Sequence, residues 1–197
     1  MQGLWGDLLH VSSSLMEDFS PMQLAILVHA VARAEPWSLA KPGRRWWAEF
    51  FAASQAAMQQ QQQQQQQQRP RRRGVKVSDD AADAAPQQEV AQIAQVAAAG
   101  RAAERFTPQG FANMVWAMGK LSRRPGADWA SVLYRVTEPQ LAGFSAQGLA
   151  NLGYGLASMH ADGGLPRPGS SWIGCYLAAA CGQVQGFTSQ GMANMLW

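Results

Sequence analysis

The side chains best placed to do chemistry are amides and planar rings that return at fixed intervals. They are Gln109, Asn113, Trp116 and Lys120, then Gln147, Asn151, Tyr154 and Ser158, then Gln190, Asn194 and Trp197. Steps of three and four residues, at roughly 100° per residue, put each set on one side of an α-helix. A worn set, Met22, Ile26, His29 and Arg33, keeps the spacing but opens on apolar residues. Amides donate to and accept from base edges, rings stack on bases, and Arg33, Lys120, Arg123 or Arg124 can neutralise phosphates, so the pattern suits a single nucleic-acid strand. The same residues suit packing equally. In stacked helices Trp116 and Tyr154 would fill the groove between neighbours, and Asn113 would bond across it.

The elements that position these sets are written in a repeated string, Phe106-Thr107-Pro108-Gln109-Gly110-Phe111-Ala112-Asn113. Close copies start at Phe144 and Phe187, and a worn copy starts at Phe19. The string encodes a helix start. Thr107 stands at the N-cap, where a hydroxyl takes up an orphan backbone N–H, and Pro108 fills the first helical position, where its missing donor costs nothing. Phe106 and Phe111 then form a hydrophobic staple, matched by Phe19 with Leu24, Phe144 with Leu149 and Phe187 with Met192. On the opposite side of the helix Phe111, Met114, Val115 and Met118 make the core stripe.

A second landmark, P-G-x-x-W, follows at Pro42–Trp46, Pro125–Trp129 and Pro168–Trp172. Proline and glycine end the first helix, and tryptophan opens a second, with Trp129, Val132, Leu133 and Val136 on one stripe and Trp172, Cys175, Tyr176 and Ala179 on another. Each unit is therefore a helical hairpin. Phe106 and Phe144 are 38 residues apart, and Phe144 and Phe187 are 43 apart. The expected fold is all-α, an α-solenoid of stacked helix-turn-helix repeats.

A 38-residue helical hairpin with F-[ST]-P-Q-x-h-A-N at its first helix and P-x-x-x-W at its second resembles the octotricopeptide repeat. The resemblance spans Phe19 to Trp197 apart from one insertion. It implies a sequence-selective binder of single-stranded RNA in the chloroplast or the mitochondrion, acting in transcript stability, processing, splicing or translation. The RNA-facing residues would be Gln109, Asn113, Trp116, Lys120, Arg123, Gln147, Asn151, Tyr154, Gln190, Asn194 and Arg33. A rival reading is a protein-binding scaffold in a ribosomal or RNA-processing assembly, because a solenoid groove also receives peptides.

Between Trp46 and Phe106 the spacing is 60 residues, where the other units have 15. The excess holds ten consecutive glutamines, Gln59 to Gln68, then Arg69-Pro70-Arg71-Arg72-Arg73 and an Asp- and Ala-rich tract. Low complexity and low hydrophobicity predict a disordered loop over about residues 59–103, thrown out of the stack. The units are then residues 19–105, 106–143 and 144–186, with 187–197 opening a fourth. Residues 1–18 match a second helix whose partner is missing, so the chain reads as a fragment that would self-associate through uncapped ends. The opening segment carries Asp7, Glu17 and Asp18 but no arginine, unlike a transit peptide.

A net charge of +3 and an isoelectric point near 9.2 accommodate nucleic acid without requiring it. Without a run of 18 apolar residues, no membrane span is expected. Cys175 and Cys181 fit neither a metal site nor a disulfide framework, and Cys175 is expected in the core. His10, His29 and His160 share no constellation. With no nucleophile–base set, phosphate loop or paired carboxylates, neither catalysis nor a cofactor or metal is expected.

Overall fold

The computed structural model describes residues 2–34, 41–68, 105–161 and 165–196, and among these every regular element is helical. In chain order they are α1 (Gln2–Ser14), α2 (Pro21–Ala34), α3 (Arg44–Gln67), α4 (Pro108–Lys120), α5 (Ala127–Thr137), α6 (Ala146–His160), α7 (Ser170–Gly182) and α8 (Ser189–Leu196). Short 3-10 turns at Met16–Asp18, Glu138–Gly143 and Val184–Gly186 lead into α2, α6 and α8. No helix here is long and apolar enough to cross a membrane.

The repeated string starts helices by the chemistry its residues imply. Thr107, Ser145 and Thr188 accept from the backbone N–H of Gly110, Gly148 and Gly191 at 3.1, 3.1 and 3.0 Å. Ser20 does the same for Gln23 at 3.3 Å, and the Gln23 side chain returns a bond to the Ser20 N–H at 2.8 Å, closing a capping box. The Phe106 and Phe111 rings of the staple meet at 5.0 Å, both buried. At the far end Met192, of the last staple, is exposed.

The helices form two layers. In one, α2 packs on α4, α4 on α6 and α6 on α8; in the other, α1 packs on α3 and α3 on α5, while α7 rests chiefly on the 3-10 turn at Glu138–Gly143. The first layer is drawn tight by small residues. Sites for a Cβ on Gly110, Gly148 and Gly191 lie 3.7, 3.7 and 3.6 Å from the methyls of Ala25, Ala112 and Ala150 on the preceding helix. Further along, α4 and α6 cross so closely that a Cβ on Gly119 would stand 2.7 Å from the Gly155 Cα. Backbone meets backbone there, which only glycine permits.

The second layer is joined by tryptophans. Trp46, Trp129 and Trp172 are buried, and their indole N–H groups donate to Ser12, Ser54 and Thr137 at 2.9, 2.9 and 3.0 Å. Each hydroxyl in turn donates a hydrogen bond to a carbonyl on its own helix: Leu9, Phe51 and Leu133. A buried indole must find an acceptor, so each large apolar anchor is also held in register.

Two expectations are corrected. The glutamine tract does not leave the stack at Gln59: α3 continues to Gln67. Gln61 is buried, its carboxamide accepting from the Phe106 N–H at 2.9 Å and donating to the Phe106 carbonyl at 3.1 Å, and Gln64 accepts from Arg105 Nε at 2.9 Å. Glutamine is a good helix former, and one face of the tract has backbone to satisfy, so low complexity does not prevent folding there. The rest of the expected loop, residues 69–104, lies outside the described residues. Cys175 is exposed rather than in the core. Because α7 leans on the turn rather than lying flat against α5, only Trp172 of its expected stripe is buried, with Ala180 beside it.

Candidate nucleic-acid interface

Across the open side of the first layer runs a groove of ≈ 480 Å³ to which four helices contribute. The later turns of α2 and α4 supply His29 and Arg33, then Trp116 and Lys120. From α6 come Gln147, Asn151 and Tyr154, and from α8 Gln190 and Asn194. The register explains the convergence. Phe111, Met114, Val115 and Met118 are buried toward the second layer, so the residues on the opposite side of α4 must face outward, and capped helices held at fixed spacing bring successive sets together.

Charge is distributed unevenly along this groove. One end holds Arg33, Lys120 and His29, and among the described residues no carboxylate lines the groove. Partial burial lowers the His29 pKa below its ordinary value, with Arg33 and Lys120 adding to the effect, so the neutral imidazole is favoured. The other end is uncharged. There Gln190 Nε2 donates to Asn194 Oδ1 at 2.9 Å, which leaves the Asn194 amide N–H groups and the Gln190 carbonyl oxygen to face a ligand.

Trp116 serves both readings that its position allows. Its half-buried ring lies 5.3 Å from the His29 ring at a 44° tilt, and Lys120 Nζ sits 5.1 Å from its centroid. The indole therefore packs between repeats and steers two groups into the groove.

Eight of the expected residues line the groove: Arg33, Trp116, Lys120, Gln147, Asn151, Tyr154, Gln190 and Asn194. Gln109 and Asn113 do not. They bond to each other at 2.7 Å on the first turns of α4. Arg123, expected to face RNA, does not line the groove either, because α4 ends at Lys120. Ser122 turns left-handed with φ 53°, and the Arg123 N–H bonds back to the Met118 carbonyl at 2.9 Å, closing a Schellman motif. That turn carries Arg123 to the second layer, its guanidinium 5.2 Å from the Trp47 ring centroid. His29 also lines the groove, on the face where the sequence put it but outside the expected RNA-facing set. Its register, shared with Trp116 and Tyr154, was the available signal. Trp197 lies outside the described residues.

A larger cavity of ≈ 880 Å³ opens between the α1–α2 connection and α3, lined among the described residues by Glu17, Asp18 and Glu49 and by one cation, Arg45. Arg45 already pairs with Glu49 at 2.7 Å. Its acidic lining would repel a polyanion, so size does not make it the candidate. Comparison of the chain with family models, with curated proteins and with solved structures finds no match.

Proposed function

We propose that this chain is an α-solenoid of octotricopeptide type that binds single-stranded RNA of the chloroplast, or alternatively the mitochondrion, without catalysing a reaction. The observation that carries the reading is the groove itself: four successive first-layer helices bring amides, rings and cations into one channel that no carboxylate among the described residues lines. Amide pairs offer the adjacent donor and acceptor that a base edge requires, and half-buried rings offer stacking surface. The scaffold alternative draws on Met22 and Ile26, exposed at the positions where the other repeats carry amides, which makes the first repeat better suited to a protein surface. Self-association fits either reading, since Leu4, Leu8 and Val11 form an exposed apolar strip along α1.

Selection from a random RNA pool, followed by competition binding, tests the proposal. The expected result is a short preferred sequence. Asn151→Ala should then relax preference at one position by about 1 kcal/mol or more, with helix content unchanged. Absence of any selective RNA binding, or selectivity indifferent to both Asn151→Ala and Gln190→Ala, would overturn it.

A further inference from the structure

Resting on the RNA reading, we infer that the α2–α4 end of the groove is a single phosphate subsite formed by Arg33, Lys120 and His29, and that it anchors the strand at one backbone phosphate rather than tracking the backbone along every repeat. Three observations converge on it. Arg33 and Lys120 reach the same groove from different helices, and neither makes an ion pair with a described carboxylate. His29 lines the same groove against Trp116, where burial first and then both cations disfavour its charged form. At the next boundary the cation is missing, because Ser158 occupies on α6 the place that Lys120 holds on α4.

A bound phosphate would reverse the electrostatics around His29. Among the described residues, the charged or titratable groups lining the groove with it are Arg33, Lys120 and Tyr154. With the two cations neutralised by an anion, the imidazole gains a reason to take up a proton and becomes a third donor. Strand binding should therefore strengthen as pH falls through the range in which His29 titrates. The uncharged end, with Gln147, Asn151, Gln190 and Asn194, is left to contact bases.

The test uses the full chain and two probes. Inorganic phosphate, followed by the NMR shift of the His29 ring protons, should raise the His29 pKa in wild type and leave it unmoved in Arg33→Gln/Lys120→Gln. With a selected RNA, the same double variant should bind about tenfold more weakly and show a salt slope flatter by about 0.7, the value for one phosphate no longer neutralised. Arg135→Gln, on the exposed side of α5, should change neither. His29→Gln should abolish the pH dependence of RNA binding. An RNA salt slope unmoved by the double variant overturns the subsite while leaving RNA binding intact. A phosphate effect on His29, together with a failure of the wild-type chain to bind any selected RNA, upholds the phosphate subsite and removes the RNA reading.

Discussion

The two helical layers solve the same problem, stacking one repeat on the next, by opposite means. The first layer uses the smallest residues, so that α4 and α6 touch backbone to backbone at Gly119 and Gly155. The second uses the largest, with Trp46, Trp129 and Trp172 each pinned to a hydroxyl of the preceding repeat. Close backbone contact fixes the separation of the first-layer helices and hence the width of the groove they line. A ring and its hydrogen bond fix instead which turn of one helix faces which turn of the next.

If that contrast is right, the severest damage comes from adding bulk to the tight layer. A Cβ on Gly155 would press on the Val115 carbonyl, a backbone atom that cannot swing aside. Gly155→Val should cost about 3 kcal/mol or more, read as a fall in the urea midpoint, since overpacking without relief reaches that range. A variant as stable as wild type would show that the layers are not held differently.

In the tryptophan layer the damage comes from removing a partner. Ser54→Ala leaves the buried Trp129 indole N–H without an acceptor and should cost about 2 kcal/mol, the scale of an orphaned buried donor. Thermal unfolding of this variant beside Ser14→Ala, on the exposed side of α1, separates the indole effect from removal of a serine as such.

The glutamine tract offers a sharper contrast within one helix. Gln61→Ala removes both bonds to the Phe106 backbone and should cost about 1–2 kcal/mol, whereas Gln63→Ala, exposed two residues on, should be near neutral. Equal effects would mean that the tract contributes helix alone and no specific contact.

The smallest change is favourable. Ser122 holds a left-handed conformation at the end of α4, and glycine adopts it without the side-chain penalty. Ser122→Gly should add roughly 0.5–1 kcal/mol, seen as a slightly raised melting temperature. Destabilisation would show that the serine side chain matters more than its φ.

Much of the local structure was legible because it depends on neighbours in sequence. Phe106-Thr107-Pro108 announces a capped helix from its own hydroxyl and ring, and the period of Gln147, Asn151 and Tyr154 assigns them to one face. Arg123 shows where such reading stops. Its place depends on whether the helix ends one turn earlier, and a helical projection cannot contain that event.

By itself, then, the sequence determined where helices begin, which face of each is apolar and how often the unit returns, since caps, staples and 3.6-residue periodicity act within a few residues. Only the tertiary structure decided that Gln61 belongs to the core, that Cys175 does not, and that His29 joins Arg33 and Lys120 in one groove. Those outcomes turn on which helix lies against which. Gln61 is buried because it meets the unpaired backbone of Phe106, 45 residues away, and no local property of a glutamine run specifies that encounter.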